Sequence, residues 1–363
     1  MKQTRPTRVL TAFSSAAWRG LAVIVLGTLL AGPAPAAERP SADTASEQAS
    51  RIALWPTPLA PGDTALPQPQ RIVDRSGDPA HPDRYIQHIS QPYLVVYRPK
   101  RPNGTALLVT PGGGYQRIVL DNEGSDLVPG FVDAAGITVF VLRYRLPGEG
   151  HPNGADVPLA DAQRALRLIR ANAARYGIDT QRVGAMGFSA GGHVAASLGT
   201  RYAAQVYPPV DAADALSARP DFQLLIYPVI DMDIASAHRG SRERLIGSAP
   251  SAAQVRAYSP QLHVEARTPP TFLLHAQDDT VVSVRNSLLM HDALLRAGVP
   301  SELHVFPQGG HGFGTASGTG LTVAVWPQLA QAWIAHVVKT QTSTSAPASA
   351  SASASAASKD AAR

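Results

Sequence analysis

Short apolar runs alternate with amphipathic stretches along most of this chain. The runs Tyr93–Tyr97 and Ala106–Thr110, and the stretches over residues 137–142, 182–186, 222–227, 271–275 and 302–306, of which 182–186 and 302–306 also hold Arg182, Glu302 and His304, are each five or six residues long. That is the length of a buried strand, and too short for a core helix. The clearest helix lies between them. Leu159, Ala162, Leu166, Ile169, Ala173 and Tyr176 fall at spacings of 3, 4, 3, 4 and 3, with Arg164, Arg167, Arg170 and Arg175 off that stripe. Gly177 follows as a C-terminal cap. Further helices are predicted over 123–135, 190–198, 284–297 and 327–338. Strands separated by helices predict an α/β fold with a mostly parallel central sheet and helices on both faces. Reactive groups in such folds gather at the carboxyl ends of the strands.

Both ends of the chain depart from this pattern. Residues 1–37 begin basic, continue into an apolar run over 21–31, and close on Ala34-Pro35-Ala36-Ala37. This is the layout of a secretory signal peptide, with cleavage expected after Ala36 or Ala37 and a periplasmic or extracellular product. The apolar run is well short of the roughly 20 residues that span a bilayer, so no integral membrane association is expected once it is removed. No cysteine is present to carry a lipid anchor, and no Arg pair precedes the run, which favours the general export route over the twin-arginine one. Residues 38–70, rich in Pro, Ala and Ser, read as an irregular lead-in in which Ile52, Leu54 and Trp55 can pack onto the domain. Residues 341–363 form an Ala/Ser tract without large apolar side chains and are expected to be disordered. One domain over 71–340 remains.

Composition narrows the chemistry. The chain has 363 residues and no cysteine, which excludes cysteine nucleophiles, thiolate metal sites and disulfide scaffolding. Its 32 basic and 27 acidic residues give +5, but Lys2, Arg5, Arg8 and Arg19 all fall in the first 37 residues, which hold no acid. The rest carries 28 against 27, so no basic footprint for nucleic acid is expected. His81, His88, His151 and His263 show no ligand spacing and H-E-x-x-H is absent, so no metal is predicted. No dinucleotide or P-loop pattern is present either, and no cofactor is predicted.

The remaining candidates are Ser, His and carboxylates. Gly187-Phe188-Ser189-Ala190-Gly191 fits G-x-S-x-G directly after a predicted strand and before a predicted helix. There the turn strains the serine and presents it, and the glycines make room for neighbouring backbone. Ser189 is the expected nucleophile. Upstream, Pro111-Gly112-Gly113-Gly114-Tyr115 follows the strand Ala106–Thr110. Its glycines allow N–H groups to point inward, so Gly113 and Gly114, together with the Ala190 N–H at the helix start, are the expected oxyanion hole.

A serine needs a base, and the base a carboxylate to hold its tautomer. Of the 11 histidines, His311 lies in Gly309-Gly310-His311-Gly312-Phe313-Gly314, just past the strand over 302–306. It is the expected base. His193, inside the helix behind the serine, and His275, at a strand end, read as structural. Asp278 and Asp279 follow the strand over 271–275. One is expected to hold the imidazole while the other caps the helix near Ser283 or faces solvent.

Taken together, these segments resemble the α/β-hydrolase superfamily from about Tyr93 to Val338. Pro111-Gly-Gly-Gly-Tyr115, Gly187-Phe-Ser-Ala-Gly-Gly-His193, His275-Ala-Gln-Asp-Asp-Thr-Val-Val-Ser283 and Gly309-Gly-His-Gly-Phe-Gly314 are similar to a secreted bacterial group of acetyl xylan esterase and feruloyl esterase-like enzymes. Leu54-Trp55-Pro56 and Leu159-Ala-Asp-Ala-Gln-Arg-Ala-Leu166 extend the likeness. The group's pattern H-G-x-x-D-x-x-V-P lays Asp279 on the acid position, with Ala276 and Ser283 departing from it. Pro111 stands where many relatives carry the His of H-G-G-G. The resemblance implies a serine esterase that removes acetyl or feruloyl groups from plant cell-wall polysaccharide. Its partners would be an acylated carbohydrate or a small ester.

Two other readings share these features. A prolyl-oligopeptidase-type peptidase has the same fold and triad but usually a large N-terminal propeller, for which residues 38–92 leave no room. A non-catalytic carbohydrate-binding protein on this fold would not need an intact Ser, Asp and His set.

Overall fold

The computed structural model describes residues 38–345 apart from Pro79. The expected signal peptide and most of the expected tail lie outside the described residues. The elements are β1 (Arg39–Ser41), α1 (Ala45–Ala49), β2 (Arg51–Ala53), β3 (Arg71–Asp74), β4 (Arg84–Gln87), β5 (Tyr93–Tyr97), β6 (Ala106–Thr110), β7 (Ile118–Val119) and β8 (Thr138–Arg143). Then follow α2 (Val157–Ala171), α3 (Ala173–Tyr176), β9 (Val183–Phe188), α4 (Ser189–Arg201), β10 (Gln223–Ile226), α5 (Arg239–Ile246) and α6 (Ala252–Ala257). β11 (Thr271–Ala276), α7 (Arg285–Arg296), β12 (Ser301–Phe306) and α8 (Trp326–Ser345) complete the fold.

Eight strands form the central sheet in the order β12-β11-β10-β9-β6-β8-β5-β2. From β12 to β8 every pairing is parallel, and β5 and β2 close the edge antiparallel. β6, β8, β9, β10 and β11 are buried along their whole length, which is why they read as mostly apolar runs with polar residues such as Thr138, Arg143, Gln223 and Thr271 near their ends. One face packs on Leu159, Leu166 and Ile169 of α2, Val194 and Leu198 of α4, and Met290 and Leu294 of α7. The other packs on Phe131 and on Trp326, Trp333 and Ile334 of α8.

Several elements differ from expectation for local reasons. The lead-in is ordered into β1, α1 and β2, because Thr44 and Glu47 make a reciprocal capping box and the buried Glu47 also pairs with Arg84. β1, β3, β4 and β7 form a second, antiparallel sheet. The helix expected over 123–135 is instead a short 3-10 turn, Ser125–Leu127, followed by a π-helical turn, Val128–Ala134, where Pro129 and Gly130 interrupt ordinary helix. The amphipathic helix breaks at Asn172 between α2 and α3, and Gly177 ends it with φ of +65°. Its arginine face is covered: Arg164 is buried and bonds Leu54 O and Asp211, and Arg170 pairs with Asp221. α8 runs on to Ser345, five residues past the expected domain end. Among the described residues no helix is long and apolar enough to cross a membrane.

Candidate active site

β9 passes into α4 through a single residue. Ser189 sits there with φ of +52°, in the left-handed region that a residue with a Cβ seldom occupies. Such a conformation costs about 1–3 kcal/mol and persists only when the surroundings enforce it. The enforcement is visible. A Cβ on Gly191 would run into the carbonyl oxygens of Thr110 and Pro111, and one on Gly192 would stand 2.7 Å from Pro228 Cβ. Thr110 Oγ1 donates to Gly191 O at 2.8 Å, tying the helix start to the end of β6.

Two loops from the carboxyl ends of β11 and β12 meet this serine. Ser189 Oγ lies 2.8 Å from His311 Nε2, and His311 Nδ1 lies 2.7 Å from Asp279 Oδ2. An ionised carboxylate only accepts, so the ring proton belongs on Nδ1. Nε2 is left as the acceptor of the serine proton. Asp279 Oδ1 accepts the N–H groups of Val281 and Val282 at 2.9 and 2.8 Å. Burial alone would raise the Asp279 carboxyl. The hydrogen bonds and charge supplied by His275, His311 and Val282 outweigh it and hold the carboxyl well below the usual carboxylate range.

Asp278, the other candidate, neither caps a helix nor meets the imidazole. Its Oδ1 accepts the Gly310 N–H at 2.8 Å and so pins the loop that carries His311. His275 is fully buried, and its Nε2 lies 2.8 Å from Val282 O and 3.3 Å from Asp279 Oδ2. The carbonyl can only accept, so Nε2 carries the proton that also faces the carboxylate. His275 is therefore more than packing: it supports Asp279 from behind. The H-x-x-x-D spacing was the available signal.

The glycine loop is placed across from the serine. Gly113 and Gly114 adopt φ of +128° and +66° and line the same cleft as Ser189 and His311. The N–H groups of Gly113, Gly114 and Ala190 make no hydrogen bond with the described residues. The Gly112 N–H does, donating to Glu123 Oε2 at 2.6 Å. Glu123 is buried, and its other oxygen accepts the Tyr227 O–H at 2.9 Å. Burial raises its carboxyl above the usual range against the pull of those two donors. The Tyr227 hydroxyl in turn accepts Gly314 N–H at 3.1 Å, and its ring meets the His311 ring edge-on at 5.2 Å. Glu123 and Tyr227 thus bridge the oxyanion loop to the histidine loop. Sequence reading missed both, because 104 residues separate them.

His193 ties the same loop to another segment. Its Nε2 is 2.7 Å from Tyr258 O and its Nδ1 is 2.7 Å from Tyr115 Oη. Burial lowers its pKa to about 4, so the ring is neutral, donates from Nε2, and accepts the Tyr115 hydroxyl. His238, also unforeseen, lines the cleft opposite Gly114. Its Nδ1 accepts from the Ser241 backbone N–H at 3.3 Å, and burial, then the charges of His311 and Arg244, lower its pKa.

The cleft holds about 480 Å³ and is lined by polar side chains, among them Arg75, Gln116, Arg117, Asn122, His238 and Arg244. A separate hollow of about 230 Å³ beside Trp55, Asp63 and Arg145 contains none of the serine, histidine or acid residues. Among the described residues no group of three or more His, Asp or Glu could hold a metal ion.

A strained serine at the end of a central parallel strand, with histidine and acid on the following strand ends, defines the class as α/β hydrolase. Comparison with known proteins agrees on the fold. The chain belongs to the BD-FAE family, whose profile matches residues 84–294. It is 33% identical over 225 residues to an acetylxylan esterase of Xylanibacter ruminicola, covering 61% of this chain and 43% of that one. It is 36% identical over 211 residues to endo-1,4-beta-xylanase B of Butyrivibrio fibrisolvens, covering 58% of this chain and 33% of that one. The chain therefore spans less than half the length of these two relatives. Among solved structures, an acetyl ester-xyloside bifunctional hydrolase from Caldicellulosiruptor lactoaceticus matches with a TM-score of 0.65 and 37% identity, over 79% of this chain and 96% of that one.

Proposed function

We propose that this protein is a serine carboxylic ester hydrolase that removes acyl groups, chiefly acetyl, from plant cell-wall polysaccharide such as xylan. The observation that carries this is the 2.8 Å approach of Ser189 Oγ to His311 Nε2, with Asp279 on the other ring nitrogen. The acetylxylan esterase and the acetyl ester-xyloside hydrolase among its relatives support the substrate class.

In the proposed reaction Ser189 Oγ attacks the ester carbonyl as its proton passes to His311 Nε2. The resulting oxyanion accepts N–H groups of Ala190 and of Gly113 or Gly114, each such donor being worth about 3–4 kcal/mol in the transition state. Collapse breaks the bond to the sugar oxygen, which takes the proton back from His311. Water then attacks the acyl-serine with His311 again as base, releasing the carboxylic acid and restoring the serine hydroxyl. Asp279 keeps the imidazole oriented throughout.

The test is an assay on acetylated xylan, a p-nitrophenyl acyl series and a chromogenic dipeptide, with Ser189→Ala alongside. Acetate and p-nitrophenol should be released, the dipeptide left intact, and turnover should fall by roughly 10⁶ in the variant. Cleavage of the dipeptide in place of the esters contradicts the reading. We further propose that the protein is exported. Amino-terminal sequencing of the mature form should then begin at Ala37 or Glu38, and a form that keeps Met1 after secretion contradicts it.

A further inference from the structure

The cleft has three arginines that the proposed hydrolysis does not use, beside the acids Asp83 and Glu123. Arg75, Arg117 and Arg244 all line it. Arg75 pairs with Asp83 at 2.6 Å, while Arg244 bonds the Gly240 carbonyl at 3.0 Å and makes no ion pair within 4.0 Å among the described residues. Arg117 makes no ion pair within 4.0 Å among the described residues. The guanidinium groups of Arg75 and Arg117 stand over the same Tyr85 ring, their central carbons 5.6 and 5.2 Å from its centroid. Each has an Nε cut off from solvent that finds no acceptor.

Two cations held over one ring repel each other. Burial, then the charge of Arg75, depresses the Arg117 pKa. Two nearby acids are already engaged: Asp83 serves Arg75, and Glu123 is held by Gly112 and Tyr227. An anion bound at the solvent-facing parts of these side chains would relieve the repulsion. A planar guanidinium group can bind a carboxylate through two parallel N–H groups.

We propose that Arg75, Arg117 and Arg244 recognise a carboxylate on the ester substrate, so that the site prefers acidic esters to neutral ones of the same shape. The inference rests on the esterase reading. The carboxylate belongs either to the saccharide, as a uronic acid beside the acylated sugar, or to the acyl group, as the half-ester of a dicarboxylic acid.

Two matched pairs of esters separate these sources in the full chain. One pair is acetylated xylo-oligosaccharide with and without a glucuronic acid substituent. The other is mono-p-nitrophenyl succinate against p-nitrophenyl butyrate. On at least one pair kcat/KM should favour the acidic member by about tenfold, the worth of one charged hydrogen bond. The pair that shows it identifies the source. In Arg117→Gln/Arg244→Gln the ratio should approach one, and Arg117→Lys, which keeps the charge but not the planar fork, should keep part of it. Salt near 1 M, where the Debye length is about 3 Å, should flatten it in the parent protein. Because the readout is a ratio, a variant that loses overall activity still reports. A ratio near one on both pairs, or a preference that survives the double variant, overturns the proposal. Failure to hydrolyse any of these esters contradicts the esterase reading instead.

Discussion

Asp278 and Asp279 are adjacent in the chain but hold different parts of one loop: Asp279 Oδ2 binds His311 Nδ1 at 2.7 Å, and Asp278 Oδ1 binds the Gly310 N–H at 2.8 Å. One sets the tautomer of the imidazole and the other only its position. Asp279→Asn should therefore lower kcat by about 10⁴, since an amide can present its N–H and force the wrong ring tautomer. Asp278→Asn keeps an acceptor for the Gly310 N–H and should cost under about tenfold. Steady-state kinetics of the two variants on one p-nitrophenyl ester checks the assignment, and equal losses contradict it.

Gly191 meets backbone on its open side, the carbonyls of Thr110 and Pro111, which cannot swing away as a side chain end would. Gly191→Ala should destabilise the protein by about 3 kcal/mol or more, because β6 and α4 must separate to admit one methyl. Gly298, with nothing near its missing Cβ but φ of +69°, is the control: Gly298→Ala should cost about 1 kcal/mol from strain alone. Urea denaturation of both variants measures the difference.

Glu123 joins Gly112 to Tyr227 with no solvent to replace it. Glu123→Ala leaves two buried donors unpaired and should cost about 2–4 kcal/mol of stability, with kcat falling more than KM rises as the oxyanion loop loosens. Glu123→Gln keeps an acceptor for Gly112 but faces the Tyr227 hydroxyl with an N–H in place of an acceptor, so it should lose less than Glu123→Ala in both. Thermal melts and kinetics on the pair distinguish this bridge from mere filling of space.

His193 carries a pH signature. In the unfolded chain its pKa is near 6.5, whereas the fold lowers it to about 4. Between these values the unfolded state binds the extra proton, so stability rises with pH across the window and is lost as pH falls from 6.5 towards 4. The full effect is on the order of 3 kcal/mol. Replacing His193 by Gln should flatten stability across that window, as read by urea denaturation at several pH values. An unchanged slope contradicts a neutral, buried ring.

Much of this was legible in the sequence, and the rest was hidden for physical reasons. β5 and β6 coincide with the apolar runs because a buried strand must be apolar on both faces. Ser189 and His311 stood out because each needs glycines around it, and glycine is visible in a sequence. The small sheet escaped notice because its strands are only two to four residues long, with Arg, Pro and Asp among them. Asp279 was legible as the acid only through the pattern H-G-x-x-D-x-x-V-P, whereas the role of Asp278 on Gly310 depends on loop geometry that spacing does not encode. Glu123, Tyr227 and His238 were invisible because they act through contacts made only when distant loops meet.

The central claim is that Ser189 becomes acylated, and covalent capture tests it most directly. Incubation with diethyl p-nitrophenyl phosphate followed by peptide mass spectrometry should place one phosphoryl group on Ser189, with ester turnover lost in proportion to labelling. Full labelling of Ser189 with turnover intact, or complete inhibition with that serine unmodified, would contradict the account.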